Sequence, residues 1–230
     1  MKIHGFQKLT LLDFPEKTAA TVFTGGCNFR CPFCHNGDLV LAPASVEEIP
    51  MEEIFATLSK RRGFLDGVCI TGGEPLLNAD ISTFMKKIKD MGLLVKLDTN
   101  GTFPERLQEL LSSGLLDYVA VDIKNSKESY AKTIGLEKFD VSCIEKSVEL
   151  LRSSDVTHEF RTTLVRELHT VEDMRKIGEW LRGTERYFLQ AFKLSDNVLD
   201  KTLTGFEKNE LEEMLLAVKE YIPNAKLRGI

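Results

Sequence analysis

Three cysteines are spaced C-x3-C-x2-C in the stretch Cys27-Asn28-Phe29-Arg30-Cys31-Pro32-Phe33-Cys34. The stretch follows the β-rich residues 20–24 and the flexible pair Gly25-Gly26. A strand followed directly by glycines predicts that residues 27–34 form a loop at the end of that strand. Three thiolates on one short loop can converge on a single soft metal centre.

Three interpretations of these cysteines compete. An iron–sulfur cluster is favoured; because the spacing is not that of bacterial ferredoxins and no fourth cysteine follows nearby, one iron would lack a protein ligand. A structural zinc site needs four ligands, and the adjacent His35 is hard to aim at the same ion without strain. Disulfides are disfavoured because five cysteines cannot all pair and nothing marks the chain as secreted. An iron–sulfur electron carrier and a zinc module are the non-enzyme alternatives.

The composition is that of an ordinary globular protein. The 230 residues are 43% hydrophobic and 28% charged, with a net charge of −5 from 35 acidic and 30 basic residues. No long basic block supports nucleic-acid binding. Residues 1–8 lack an apolar segment and no run reaches the length of a membrane span, so we expect no membrane association. We expect a cytoplasmic protein with reduced thiols.

Short β-rich runs alternate with amphipathic helical runs along the chain. A helix face is clear where Met51, Ile54, Phe55 and Leu58 recur at i, i+3, i+4, i+7. Strands are predicted at residues 18–24, 67–71, 93–97, 118–121, 159–164 and 187–192, with helices between and after them and with residues 8–13 as a lead-in strand. Six strand–helix units predict a parallel sheet with right-handed crossovers. Because six units are too few for a closed eight-stranded barrel, we predict an α/β fold: a partial, laterally open (β/α)6 barrel of one domain, residues 1–230, whose first 18 residues form the lead-in.

Polar or glycine-rich residues follow each predicted strand. The active site of a parallel βα-barrel lies at the carboxyl ends of its strands, so these residues are expected to share one rim. Besides residues 27–34, they are Gly72, Gly73, Glu74, Asp98, Thr99, Asn100, Asp122, Lys124, Arg161, Thr163 and Gln190. For Asp98, Asn100, Asp122 and Lys124, the alternative is a set of strand-end charges exposed to solvent.

Individual residues leave structural alternatives open. Arg161 lies within a strand, where an unpaired guanidinium is costly to bury; it contacts either an anionic ligand or Glu74 or Asp122. Gln190 either binds a ligand or has a structural role. Cys69 and Cys143 have apolar neighbours, and we expect them to pack as small hydrophobic residues.

Two motifs together resemble the radical S-adenosylmethionine (SAM) superfamily. They are the cysteine spacing with Phe33 before the third cysteine, and Gly72-Gly73-Glu74-Pro75 one helix and one strand later. The resemblance implies a 4Fe-4S cluster held by Cys27, Cys31 and Cys34, with SAM chelated to the open iron beside Phe33. Reductive cleavage of SAM then yields a 5′-deoxyadenosyl radical. Gly72, Gly73 and Glu74 would bind the methionine amino group.

Residues 8–17 and 24–36 resemble the anaerobic ribonucleoside-triphosphate reductase activating proteins, and the similarity extends over essentially the whole chain. It implies an oxidoreductase that leaves a glycyl radical on a partner, that reductase, with a flavodoxin or ferredoxin-type electron donor. It also implies that Asp98, Asn100, Asp122, Lys124, Arg161 and Gln190 contact SAM, and that Asp98, Thr99 and Asp122 form a monovalent-cation site. The competing enzyme hypothesis is a radical SAM protein acting on a small molecule or peptide, similar to 7-carboxy-7-deazaguanine synthase.

Overall fold

The computed structural model describes all of residues 1–230 and contains one eight-stranded sheet. The strands are β1 (Ile3–Thr10), β2 (Ala19–Thr24), β3 (Gly67–Gly72), β4 (Leu94–Thr99), β5 (Tyr118–Asp122), β6 (Thr157–Leu164), β7 (Tyr187–Ala191) and β8 (Lys226–Arg228). They lie side by side in chain order; β1 is antiparallel to β2, and all the others are parallel. Because β1 and β8 do not pair, the sheet stays open at that side. The predicted open α/β architecture is confirmed.

Eight helices accompany the sheet. They are α1 (Gly37–Leu41), α2 (Met51–Lys60), α3 (Ile81–Asp90), α4 (Pro104–Ser112), α5 (Tyr130–Thr133), α6 (Ser142–Arg152), α7 (Val171–Trp180) and α8 (Lys208–Lys219). The periodic apolar residues that predicted the longer helices are the ones they bury, such as Ile54 and Leu58 in α2. Thr170 caps the amino end of α7, and its hydroxyl accepts a hydrogen bond from the Asp173 N–H at 3.1 Å. None of the helices has the length and hydrophobicity needed to cross a membrane.

Four elements differ from the sequence-based expectation. The lead-in strand covers Ile3–Thr10 instead of residues 8–13, because the Thr10 hydroxyl accepts hydrogen bonds from the Leu12 and Asp13 N–H groups and turns the chain there. β8 adds a seventh parallel strand; its three residues are too few to show an alternating pattern. The short helices α1 and α5 were also not predicted.

The interior of the partial barrel is charged, whereas the space between sheet and helices is apolar. One cluster of 47 buried apolar residues includes that outer core and extends to Phe29, Cys31 and Phe33 at the pocket. Inside the barrel, the buried Glu159 accepts two hydrogen bonds from Arg228, at 2.7 and 2.8 Å, and one from the Tyr118 hydroxyl at 2.7 Å. Interior charges are therefore paired with one another, as buried ions must be.

Candidate active site

The cysteine loop, residues 27–34, follows β2 and presents its three thiols to one pocket at the carboxyl ends of the strands. Cys31 is buried, and Cys27 and Cys34 are half-buried. The Arg30 guanidinium donates hydrogen bonds to the carbonyl oxygens of Cys27, at 2.6 Å, and of Phe29, at 2.7 Å. These two hydrogen bonds stabilise the turn between the first two cysteines.

Burial raises the pKa of all three thiols, and that of Cys31 to about 12. The metal ligand is the thiolate. The Lys124 ammonium lowers each pKa, although by less than burial raises it. The positive charge of a bound metal centre is therefore what would keep these sulfurs ionised.

Two segments distant in sequence form hydrogen bonds with the cysteine loop. The Arg30 N–H donates to the carbonyl oxygen of Ile134, just after α5, at 2.9 Å. The Asp200 N–H, in the connection between β7 and α8, donates to the carbonyl oxygen of Pro32 at 2.8 Å. The loop is therefore part of the tertiary structure, and sequence reasoning missed both contacts.

His35 does not complete a zinc site with the cysteines. Its Nε2 lies 2.8 Å from the carbonyl oxygen of Lys193, and its ring packs 5.5 Å from the Phe192 ring. A structural zinc ion needs four convergent ligands, so the structure disfavours the zinc alternative.

Gly72 and Gly73 let the end of β3 lie directly against the chain that enters the cysteine loop. The Gly73 N–H donates to the Thr24 carbonyl oxygen and the Glu74 N–H to that of Gly26, both at 2.8 Å. A Cβ on Gly73 would lie 1.9 Å from the Gly26 oxygen, and one on Gly72, whose φ is +121°, would lie 2.3 Å from the Thr24 nitrogen. Only glycine fits at both positions.

The Glu74 side chain lies beneath the pocket and links the ends of β3 and β4. It is fully buried; one carboxylate oxygen accepts from the Thr99 hydroxyl at 2.7 Å and the Leu76 N–H at 3.0 Å, and the other accepts from the Asn100 N–H at 2.7 Å. Burial raises the Glu74 pKa to about 7, although these three donors oppose the shift. Glu74 therefore holds the pocket wall together, and its predicted contact with SAM stays a prediction.

Arg161 bridges the two acidic residues of the pocket. Its Nη1 lies 3.0 Å from an oxygen of Asp98, and its Nε and Nη2 lie 2.9 and 2.8 Å from Asp122. Lys124 pairs with the other Asp122 oxygen at 3.0 Å. Burial works to raise the pKa of Asp122, but Arg161 and Lys124 outweigh it and hold that pKa well below its usual range. Asp98, Asp122 and Lys124 line the pocket, whereas Arg161 lies under it.

Lys96 belongs to the same charge network and was missed from the sequence. It is almost fully buried, pairs with Asp98 and lies 3.8 Å from the Cys69 sulfur. Side chains alternate along β4, so positions 96 and 98 lie on one face of the sheet. The sequence could therefore have predicted that Lys96 lies beside Asp98. Asp98 is thus held between the cations of Lys96 and Arg161.

The residues proposed for a monovalent cation already have protein partners. Asp98 and Asp122 both contact Arg161, and the Thr99 hydroxyl donates to Glu74. A cation bound here would share both carboxylates with the Arg161 guanidinium. The cation site stays a prediction.

The remaining candidates divide between the pocket and its surroundings. Phe33 and Asn100 line the pocket, as do Asn36, Thr71 and Thr163; Gln190 does not line it, although it pairs with Thr163 across β6 and β7. The Asn36 side chain donates to the Gly72 carbonyl oxygen at 2.8 Å. Asn36 and Thr71 were not predicted; each adjoins a predicted motif in the sequence.

Comparison with known proteins identifies the superfamily to which this chain belongs. A family model described as the radical SAM superfamily matches residues 21–181. This is well over half of the chain, which therefore belongs to the radical SAM superfamily of enzymes. Membership implies a 4Fe-4S cluster and SAM, and the donor set fits: the three cysteines share one loop and one pocket, whereas Cys69 lies in β3 and Cys143 in α6.

Two relatives match this chain along most of its length. A Methanocaldococcus jannaschii protein, whose name assigns it provisionally as a glycyl-radical enzyme activating enzyme, is 33% identical over 99% of this chain and 96% of its own. A pyruvate formate-lyase-activating enzyme of Clostridium pasteurianum is 27% identical over 93% of this chain and 91% of its own. Among solved structures, a radical SAM methyltransferase from Sphaerobacter thermophilus superposes with a TM-score of 0.75 at 15% identity, covering 96% of this chain and 68% of its own. That likeness concerns the fold alone.

Proposed function

We propose that this radical SAM enzyme generates a glycyl radical on a separate protein, and that the partner is an anaerobic ribonucleoside-triphosphate reductase. The observation that carries the proposal is the length of the similarity to activating enzymes, 99% and 93% of this chain. The cysteine and glycine motifs alone are common to the superfamily and do not select a substrate. The choice of the reductase rests on the resemblance of residues 8–17 and 24–36.

In this proposal the cysteine loop holds the cluster. Cys27, Cys31 and Cys34 are its ligands, and the hydrogen bonds from the Arg30 N–H to Ile134 and from the Asp200 N–H to Pro32 keep the loop in place. When bound, the cluster would supply one electron to SAM, and cleavage of a carbon–sulfur bond of SAM would produce a radical able to remove a hydrogen atom. The electron comes from a flavodoxin or ferredoxin-type donor.

The pocket residues bind and orient SAM. In this proposal Lys124, which Asp122 orients, pairs with the SAM carboxylate, and carbonyl oxygens of the pocket-lining backbone at Gly72 and Gly73 accept from its ammonium group. Arg161 keeps Asp98 and Asp122 in position and neutralises part of their charge. These side chains form one rigid network, because each charged group contacts the next.

The shape of the sheet supports a protein substrate. β1 and β8 leave one side of the barrel open, so a loop of a second protein can reach the pocket. The product persists because the neighbouring amide groups delocalise the glycyl spin. The pocket itself only needs to admit main chain, since glycine has no side chain.

The test is an anaerobic mixture of the reconstituted enzyme, SAM, a chemical reductant and the reductase. We expect 5′-deoxyadenosine and a glycyl doublet in the electron paramagnetic resonance spectrum. Replacing the reductant with reduced flavodoxin or ferredoxin tests the donor. Cleavage of SAM without any protein radical, across the host's glycyl-radical proteins, would overturn the proposal in favour of a small-molecule or peptide substrate.

A further inference from the structure

His169 is the only one of the four histidines that is buried, with 2% of its surface exposed. It lies in the connection between β6 and α7, directly before the cap residue Thr170. Its Nε2 lies 2.8 Å from the carbonyl oxygen of Lys124, and its Nδ1 lies 3.1 Å from the backbone nitrogen of Val165. The ring therefore joins the connection after β6 to a residue that lines the pocket.

The neighbours of the ring determine its tautomer. No backbone carbonyl accepts from the Val165 N–H, and no backbone N–H donates to the Lys124 carbonyl oxygen. A neutral ring with its hydrogen on Nε2 serves both groups, because Nε2 donates to Lys124 and Nδ1 accepts from Val165. Nδ1 also lies 3.2 Å from the Val165 carbonyl oxygen, but that oxygen already accepts from the His169 N–H at 3.0 Å.

The other neutral tautomer would direct the Nε2 lone pair at the Lys124 oxygen and leave the Val165 N–H without an acceptor. Burial lowers the pKa of His169, although its hydrogen bonds with Lys124 and Val165 raise it, so the ring is neutral at neutral pH. The neutral form with hydrogen on Nε2 is therefore the one that fits.

The sheet does not hold the backbone of Lys124 at its carbonyl group. The preceding residue is the last one tied to β6: the Ile123 N–H donates to the Arg161 carbonyl oxygen at 2.8 Å, and the Thr162 hydroxyl donates to the Ile123 carbonyl oxygen at 2.7 Å. Beyond Ile123, the hydrogen bond from His169 holds the Lys124 carbonyl oxygen. His169 thus continues the support that the strand ladder ends.

The same ring packs against the cysteine loop. The rings of His169 and Phe33 are 6.5 Å apart at an angle of 72°, and the Lys124 ammonium lies 5.8 Å from the centre of the Phe33 ring. Asp122 pairs with that ammonium at 3.0 Å. Lys124 is therefore held at its backbone by His169 and at its charged end by Phe33 and Asp122.

We infer that His169 is a positioning residue for SAM binding: its Nε2–H fixes the backbone of Lys124 so that the lysine ammonium meets the SAM carboxylate. The inference rests on the contact between Lys124 and SAM proposed above. Lysine carries its charge on a flexible four-carbon stem, so a fixed backbone lowers the entropic cost of holding the ammonium against one ligand. His169 does not line the pocket and acts only through Lys124.

Two substitutions separate the roles of the two ring nitrogens. In His169→Gln the side-chain amide reaches the position of Nε2 and donates to Lys124, whereas in His169→Asn it reaches only the position of Nδ1 and accepts from Val165. Each variant leaves one buried backbone group unpaired, so a purely structural role would affect both alike. We expect the SAM dissociation constant to rise about tenfold in His169→Asn and to stay within about twofold of the parent in His169→Gln.

Anaerobic calorimetry of the reconstituted enzyme, without a partner, measures these constants. Ser126→Ala is the matched control, because the Ser126 hydroxyl joins the same two connections by donating to Asp173 at 2.6 Å and does not contact the Lys124 carbonyl oxygen. Its affinity for SAM should equal that of the parent.

The outcomes separate this inference from the function on which it rests. If Lys124→Met binds SAM as tightly as the parent, the proposed contact with SAM fails, and the role of His169 fails with it. If Lys124→Met weakens binding but His169→Asn does not, only the role of His169 is overturned. A loss of about tenfold in His169→Gln or in Ser126→Ala also overturns that role. A missing glycyl radical on the partner would overturn the proposed function alone, because these measurements need no partner.

A crystal structure of the parent enzyme with cluster and SAM bound gives a test that does not depend on how the variants fold. The His169 Nε2 should stay within hydrogen-bond distance of the Lys124 carbonyl oxygen, with the Lys124 ammonium against the SAM carboxylate. A ring turned away from Lys124 in that structure would overturn the inference.

Discussion

The Glu74 carboxylate accepts a hydrogen bond from the Asn100 backbone N–H at 2.7 Å, and this contact joins the end of β3 to the end of β4. The Asn100 side chain continues the link by donating to Asn28 in the cysteine loop at 2.8 Å. The acid of the Gly-Gly-Glu motif therefore orders three connections around the pocket. The Glu74 carboxylate is fully buried because it accepts these hydrogen bonds from the protein.

Replacing Glu74 with glutamine should destabilise the protein. Each carboxylate oxygen of Glu74 accepts a hydrogen bond from a backbone N–H. In glutamine an NH2 group replaces one of these oxygens and cannot accept, so one buried N–H loses its partner. We expect the free energy of unfolding to fall by ~1–3 kcal/mol, measured by denaturant unfolding of the metal-free protein. The control is Glu53→Gln on the exposed side of α2, which should stay within ~0.5 kcal/mol of the parent. Equal stability of both variants would contradict the role of Glu74.

Glu74 should also make stability depend on pH. Burial raises its pKa from 4.5 to about 7 in the folded protein. Between these two pH values the folded state binds more protons than the unfolded state. The contribution of protonated Glu74 to the free energy of unfolding is therefore complete below pH 4.5 and is lost as the pH rises through about 7. From pH 5 to pH 8 the stability of the parent relative to Glu74→Gln should fall, by at most ~3 kcal/mol. Parallel pH profiles for the two proteins would refute this linkage.

Gly73→Ala should disturb cluster binding. Its Cβ would lie 1.9 Å from the Gly26 carbonyl oxygen, so the chain entering the cysteine loop must move. After anaerobic reconstitution we expect clearly less iron per chain than in the parent. Gly92→Ala is the control, because its Cβ meets nothing within 4 Å and only its φ of +78° is strained. If both variants bind as much iron as the parent, the close approach of Gly73 to Gly26 is not needed for cluster binding.

Three of the five cysteines should be needed for iron. Cys27→Ala, Cys31→Ala and Cys34→Ala should each lose the cluster, because each removes a ligand that the protein cannot replace. Cys143→Ala and Cys69→Ala should retain about four irons per chain, measured by iron analysis and the visible absorption spectrum. Zinc in the native protein, or cluster loss on changing Cys69 alone, would contradict the ligand assignment.

Lys124→Met should weaken SAM binding without unfolding the protein. Asp122 keeps its contacts with Arg161 in this variant, so the pocket retains a paired acid. Loss of a charged contact to SAM should cost ~1.5–3 kcal/mol, or roughly 10–150-fold in the dissociation constant. Anaerobic calorimetry of the reconstituted enzyme measures this, with Lys132→Met on the exposed side of α5 as the control. Unchanged affinity would remove Lys124 from the SAM site.

Much of the architecture could be predicted from local patterns. Apolar residues at helical spacing predicted α2, α3, α4, α6, α7 and α8, because each must bury one face against the sheet. Short apolar runs predicted the six strands β2 to β7, and most of the polar residues after them line one pocket, although Glu74, Arg161 and Gln190 do not. β8 and the short helices α1 and α5 were not predicted, because three to five residues are too few to show a periodic pattern of apolar residues.

The sequence by itself determined the alternation of strands and helices, the loop with three thiols and the motifs of the family, since these depend on neighbouring residues. Only the tertiary structure decided the partners of the charged groups. Arg161 is 39 residues from Asp122 and 63 from Asp98, yet its guanidinium bridges both. Glu74 likewise reaches Asn100, 26 residues away. Parallel strands bring such residues to one edge, and a buried charge takes whichever opposite charge or donor the folded chain places beside it, because leaving it unpaired is costly.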